Sequence, residues 1–309
     1  MEFEGLSIII PTKDRGDVFV KTLTAAYNAI TNISAEILII NDSKINNPII
    51  PKDFNDKVKL INNPKSGVAS ARNLGAINSK FSNLLFLDDD ILISEKNIFD
   101  LIQNIQQFPN SAINFNWLYP LELTENIQKT KFGRYLIENE FTSLKGWNKN
   151  LKWEGKSVFE LDLVASYFLS INKENFNLIG GYNESFPHAG AEDFEFASRL
   201  KKSNIKGLCN PSIIVWHNEE DRVALLPWLQ RKERSAETRK IAVSLGYPEM
   251  AIIASVFKIK FALFLYQIKS TFIFALKLIP NNKLFDHLSF KIINMLLAIY
   301  LYKGFFKTK

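Results

Sequence analysis

Residues 67–90 read GVASARNLGAINSKFSNLLFLDDD, and this stretch decides the fold. Gly67 opens a helix over roughly 69–79, and residues 84–87 then form a short apolar strand ending in Asp88, Asp89 and Asp90. Three adjacent carboxylates repel one another, and nothing in strand formation calls for them. If extended geometry persists past the strand, residues two apart share a face, so Asp88 and Asp90 converge on one point. Hard divalent cations take oxygen ligands, and Mg2+ or Mn2+ uses one or two carboxylates plus substrate phosphates. The competing reading is a helix N-cap or a solvated loop, where aspartate is common.

Upstream, residues 6–11 (LSIIIP) form a β-branched run closed by proline, and 18–30 carry helical apolar spacing. Residues 36–40 (EILII) make a second strand that stops at Asn41-Asp42-Ser43, and 58–61 make a third. Strands and helices alternating at this spacing predict an α/β, Rossmann-like, mostly parallel sheet flanked by helices. Ligands of such sheets bind beyond the carboxyl ends of the strands. Downstream, 110–160 is irregular and rich in Trp, Asn and Lys, with Trp117, Trp147 and Trp153. Residues 161–171 read as a strand, Gly180-Gly181 as a turn, 192–202 (EDFEFASRLKK) as an amphipathic helix, and 213–216 as a strand ending in His217.

The chain of 309 residues is 47% hydrophobic and 23% charged, which excludes a disordered or low-complexity protein. A single cysteine, Cys209, excludes a disulfide framework and a multi-thiolate zinc site. The net charge of +6 is unevenly spread. Residues 251–309 hold nine lysines against one acid, Asp286, and the remainder is mildly acidic. That balance argues against a nucleic-acid partner. The division it suggests is a catalytic domain over 1–250 and a basic, apolar helical tail over 251–309. Two acids in MEFEGLSIII, where a secretory signal is basic, predict a cytosolic start.

Four ordered blocks, SIIIPTKDR, EILIINDS, the 67–90 stretch and IGGYNESFPHAGAEDFEFASRL, together resemble the inverting glycosyltransferases of family 2, which have the GT-A fold. The resemblance spans most of 6–217. It implies a nucleotide-diphosphate sugar donor, with a UDP-sugar favoured, and a Mn2+ or Mg2+ cofactor. It also implies a saccharide or lipid-linked saccharide acceptor, as in bacterial surface polysaccharide assembly. Pro11, Thr12, Asp42, Arg72, Asp88, Asp89 and Glu192 would then face the donor, and Asp88, Asp90 and His217 the metal. Asp193 would be the catalytic base, since an ordinary Asp is ionised at neutral pH.

Each residue also has a plainer reading. Asp42 serves as a turn former, Arg72 as a surface cation, and Glu192-Asp193 as acids offsetting a helix dipole. His217 serves as a structural residue at a strand end. Lys13 stands where many family members carry an aromatic. A metal-dependent nucleotidyltransferase and a catalytically silent membrane-bound scaffold remain as other classes. The first turn, Pro11-Thr12-Lys13-Asp14-Arg15-Gly16, has one glycine, against the glycine-rich loop a nucleotidyltransferase carries there.

In the tail, lysines interrupt every apolar run, so a conventional span is not expected. Two interfacial helices, 251–279 and 284–303, separated by Pro280-Asn281-Asn282, suit an anionic membrane surface at the cytoplasmic face. The alternative is a homo-oligomer packed through the same helices.

Overall fold

A computed structural model describes residues 3–54, 57–147, 153 and 157–307; the side chain of Trp147 lies outside that description. Nine strands occur among the described residues: β1 (Leu6–Thr12), β2 (Ala35–Asn41), β3 (Val58–Asn62), β4 (Asn83–Leu87), β5 (Ile91–Leu92), β6 (Ser111–Leu118), β7 (Phe159–Glu160), β8 (Phe168–Asn172) and β9 (Lys206–His217). The helices are α1 (Asp17–Ala29), α2 (Val68–Asn78), α3 (Glu95–Gln107), α4 (Leu121–Gln128), α5 (Lys131–Glu138), α6 (Lys173–Leu178), α7 (Glu192–Lys202), α8 (Leu225–Ser244), α9 (Val256–Gln267), α10 (Lys269–Leu278) and α11 (Asp286–Phe306). The chain divides into two compact units. The first is Met1–Pro120, Ser143–Pro187 and Glu192–Glu219, and the second is Leu121–Thr142, His188–Ala191 and Glu220–Lys309.

The first unit is built on a sheet ordered β3-β2-β1-β4-β8-β6-β9-β5, with β7 beside β9. β3, β2, β1 and β4 run parallel, as alternating strands and helices require. Every residue of β1, β2 and β4 is buried, because helices on both faces leave such strands no wet side. The other half is mixed. β8 lies antiparallel to β4 and β6, while β6 and β9 pair in parallel.

Two strand boundaries differ from the sequence expectation. Of 161–171, only 168–171 is strand, because the Asn114 side chain rather than a ladder holds the preceding turn: it bonds Ala165 through both its N–H and its C=O. β9 continues past Pro211, which donates no N–H, through a register shift opposite Phe115 and Asn116.

α2 sits against β1 more closely than a side chain would permit. A Cβ on Gly75 would lie 2.3 Å from Ile9 Cγ2. Filling such a contact typically costs 1–3 kcal/mol, so Gly75→Val is expected to lower unfolding stability by about 2 kcal/mol. A denaturant titration checks this, and an unchanged midpoint would mean that Ile9 yields freely.

The second unit is helical. α11 buries Phe290, Ile293, Leu296, Ile299 and Tyr300 at spacings of three and four, against a core that includes Phe132, Tyr135, Leu136, Trp228 and Leu229. Gly304 makes close packing feasible, since a Cβ there would stand 2.1 Å from the Glu233 carbonyl oxygen. Arg134 grips Asp286 through two hydrogen bonds, of 2.7 and 2.6 Å, at the start of α11.

The tail expectation needs correction here. Residues 251–309 group with 121–142, 188–191 and 220–250 in the second unit. The first interfacial helix is two helices, α9 and α10, bent by 63°. The stretch Lys283–Phe306 is long and apolar enough, by length and composition, to cross a membrane. Yet one face of α11 is packed inside the unit, where Asn294 accepts a hydrogen bond from Tyr135 OH at 2.7 Å, while Lys291 is exposed.

Candidate functional site

The carboxyl ends of β1, β2 and β4 gather the polar residues of the first unit. At the end of β2, Asp42 is buried and accepts hydrogen bonds from Asn63 Nδ2 at 2.8 Å and from the Gly67 backbone N–H at 3.0 Å. Gly67 has φ +121, a conformation that disfavours any side chain. Asp42 thus ties the end of β2 to the start of α2. Lys13, largely exposed, stands 3.5 Å from its other oxygen. Pro11 and Thr12 close β1 and are buried.

The aspartate triplet follows the end of β4 as expected, but it does not continue the strand. β4 stops at Leu87, and the Ile91 N–H bonds the Asp88 carbonyl at 3.2 Å, closing a turn over 88–91. Strand alternation therefore does not apply, and Asp88 and Asp90 have separate partners. Asp88 accepts from Arg72 Nη2 at 3.0 Å. Asp89 accepts from Thr12 Oγ1 at 2.7 Å, with Arg15 Nε 3.6 Å away. Asp90 accepts from Arg15 Nη2 at 2.9 Å. Each acid therefore has a structural partner, contrary to the expectation of an unbalanced repulsive cluster. Burial and the neighbouring Asp90 charge push Asp89 above the ordinary carboxylate range. Asp90 is also buried, but His217 and Arg15 hold it below that range.

β5 pairs antiparallel with β9, setting Ile91 opposite His217. This pairing delivers His217 to the turn, with Nε2 3.2 Å from Asp90 Oδ1 and 4.0 Å from Glu219 Oε1. Burial alone lowers an imidazole pKa, but Asp90 and Glu219 outweigh it and raise His217 to about 9. Tyr119 donates to the other Glu219 oxygen at 2.7 Å, and the Trp117 ring meets the imidazole edge-on at 4.6 Å. Among the described residues, ligand atoms of Asp90, His217 and Glu219 lie within 4.8 Å of one another, close enough to hold one metal ion. Two carboxylates and an imidazole fit a cation such as Mn2+, which takes oxygen ligands readily and tolerates nitrogen. Asp88 is outside this group. Glu219, two residues past His217, belongs to it.

Arg72 lies one turn inside α2 and is almost fully buried. Its Nη2 donates to Asp88 and its Nη1 to Glu192 Oε1 at 3.3 Å. Its guanidinium lies over the Tyr182 ring, 5.1 Å from the centroid. One arginine thus joins the aspartate turn to the first residue of α7. The next residue, Asp193, is half-buried. Its two carboxylate oxygens accept from the Ser166 hydroxyl and from the Ser166 backbone N–H, the latter at 3.2 Å. The Ser166 hydroxyl also meets Tyr182 OH at 2.6 Å. Burial pushes Asp193 above the ordinary carboxylate range, and Arg72 and Ser166 offset only part of that rise.

The structure therefore gathers two sets, Asp90–His217–Glu219 and Arg72–Asp88–Glu192. Asp193 adjoins the second through Ser166 and Tyr182. Sequence reasoning missed Arg15, Ser166, Tyr182 and Glu219. Glu219 alone carried a signal, as an acid just after a strand-ending histidine.

A family model described as Glycosyltransferase like family 2 matches residues 7–259. Among curated proteins, the chain is 29% identical over 222 residues to a chondroitin synthase of Pasteurella multocida, covering 63% of this chain and 23% of that protein. It is 34% identical over 197 residues to an uncharacterized glycosyltransferase of Haemophilus influenzae, covering 63% of this chain and 61% of that one. The chain thus spans less than two thirds of either relative. Among solved structures, a mannosyltransferase from Pyrobaculum calidifontis in complex with GDP-Man and Mn2+ aligns over 98% of this chain and 88% of its own. The TM-score is 0.56 at 10% identity, a likeness of fold.

Proposed function

The chain belongs to the Glycosyltransferase like family 2, with the GT-A fold, and on that premise we propose that it transfers a sugar, with inversion, from a nucleotide-diphosphate sugar to an acceptor hydroxyl. The observation that carries this reading is the position of Arg72. It holds Asp88 and Glu192 at once, uniting acids more than a hundred residues apart into one site, as a reaction between donor and acceptor demands.

In this reading Asp193 takes the proton from the acceptor hydroxyl as that oxygen attacks the anomeric carbon from the face opposite the leaving group. A base works best with a pKa raised toward the operating pH, and the burial of Asp193 acts in that direction. Ser166 fixes the direction of the carboxylate. Pro11, Thr12, Asp42 and Asp89 line the donor side, with Arg72 oriented by Asp88 and Glu192. Asp90, His217 and Glu219 would hold Mn2+ or Mg2+. When bound, that cation supplies charge neutralisation for the departing diphosphate. No covalent intermediate on the enzyme is required.

The acceptor we infer is a saccharide or lipid-linked saccharide at the cytoplasmic face of the cell membrane, within polysaccharide biosynthesis. The chondroitin synthases among its relatives support the saccharide, and the lysine-rich C-terminal stretch supports the membrane setting. Incubating the protein with a panel of UDP- and GDP-sugars, with Mn2+ or with EDTA, tests the proposal. Cation-dependent release of one nucleoside diphosphate is expected, with UDP first on the panel. Absence of release from every donor would contradict it.

A further inference from the structure

α9 is apolar on two sides. Its inner side places Ala262, Leu265 and Tyr266 in the core of the second unit, where the Tyr266 hydroxyl donates to Glu233 at 2.9 Å. Its outer side carries Phe257, Phe261 and Phe264 at spacings of four and three, which is one stripe of a helix, and Ile268 follows just past its end. Phe257 is 77% exposed, Phe261 51% and Phe264 59%. The rings of Phe257 and Phe261 lie parallel within 3°, their centroids 6.1 Å apart. α10 adds Phe274 and Leu278, both more than half exposed. An exposed stripe of large apolar side chains such as that on α9 marks an interaction surface on a folded protein.

The charges around the stripe select the partner. Lys258, Lys260 and Lys277 are exposed beside it, and no acid occurs anywhere from 251 to 285. A second copy of the chain would set lysine against lysine with no acid from the stripe to pair them. An anionic lipid surface meets the lysines with phosphates and takes the phenylalanines into its acyl boundary. α9 has 12 residues, about 18 Å of helix, too short for a hydrocarbon core of ~30 Å. The 63° bend before α10 also breaks any continuous span.

We infer that the outer face of α9, continued by Phe274 and Leu278 of α10, lies in the plane of an anionic membrane with Lys258 and Lys260 at the headgroups. This rests on the membrane setting proposed above and is independent of the transfer chemistry. It also moves the contact from both tail helices to α9 and α10, because α11 packs one apolar face into the core of the second unit.

Flotation of the full chain with phosphatidylcholine vesicles, with and without phosphatidylglycerol, tests the inference. The wild type is expected to float with the phosphatidylglycerol vesicles and to be partly released by salt. Phe257→Ser/Phe261→Ser/Phe264→Ser removes only outward side chains. It should keep the wild-type circular dichroism and lose vesicle binding by about tenfold or more, as interfacial burial of three rings implies. Lys258→Gln/Lys260→Gln should weaken binding roughly 30-fold at low salt, equivalent to about 1 kcal/mol for each charge, and much less at high salt. Equal binding to neutral and anionic vesicles, or a folded phenylalanine variant that binds like wild type, would overturn the inference. So would a wild-type dimer, lost in that variant, in a protein that ignores vesicles. Soluble donor hydrolysis, measured in parallel, should be the same in all three forms. Its absence from all of them would count against the proposed function and leave the lipid result standing.

Discussion

Asp90→Asn is expected to lower turnover and cation affinity together. The carboxylate lies between Arg15 at 2.9 Å and His217 at 3.2 Å, and His217 and Glu219 complete the group that fits a cation. Asparagine keeps the shape and one oxygen but removes the charge that a hard cation seeks. Charge stabilisation by a bound metal is worth several kcal/mol in such transfers, so the rate should fall roughly 10³-fold. Asparagine is the better probe than alanine. Alanine would also delete the oxygen that accepts from Arg15 and leave a cavity beside it. Titration of Mn2+ followed by electron paramagnetic resonance reads the affinity, and thermal denaturation reads the fold. An Asp90→Asn protein that binds Mn2+ like wild type would remove Asp90 from the metal site. His217→Ala should be milder, because Asp90 and Glu219 remain.

Asp193→Asn should separate chemistry from binding. The amide retains the size of the carboxylate and can still accept from Ser166, but it cannot take a proton. Loss of a general base typically costs 10²–10⁴ in rate, so kcat should fall by about 10³-fold while nucleoside diphosphate affinity stays near wild type. The pH profile gives an independent sign. The base must be ionised, and burial holds its pKa above the ordinary carboxylate range. The wild-type rate should therefore begin to fall, as pH is lowered, before an ordinary aspartate would protonate. An acid limb at the ordinary carboxylate position, or a fully active asparagine variant, would move the base elsewhere, with Glu192 next in line.

The parallel half of the sheet was legible because buried strands such as LSIIIP and EILII have no other use for unbroken β-branched runs. The aspartate triplet was found for a partly mistaken reason. Its partners come from β1, the turn after it, α2 and β9, and no local pattern reveals that Thr12, Arg15, Arg72 and His217 converge on it. Convergence of Asp88 and Asp90 was an extrapolation of strand geometry, and the hydrogen bond closing the 88–91 turn removes its basis. Ser166 was invisible because it lies in a segment shaped by Asn114 rather than by its own periodicity. In the C-terminal stretch, charge indicates where composition changes but not which helices share a core. The buried face of α11 is therefore a tertiary fact, and so is the outward face of α9.

The central claim is inverting sugar transfer at the site joined by Arg72. Water can stand in for the acceptor, so the claim is testable without knowing the acceptor. The donor that releases its nucleoside diphosphate would be hydrolysed with Mn2+ while the anomeric proton of the first sugar formed is followed by NMR, before mutarotation. The account predicts a free sugar of opposite anomeric configuration to the donor, produced far more slowly by Asp193→Asn. A first product with the donor's own configuration would contradict it.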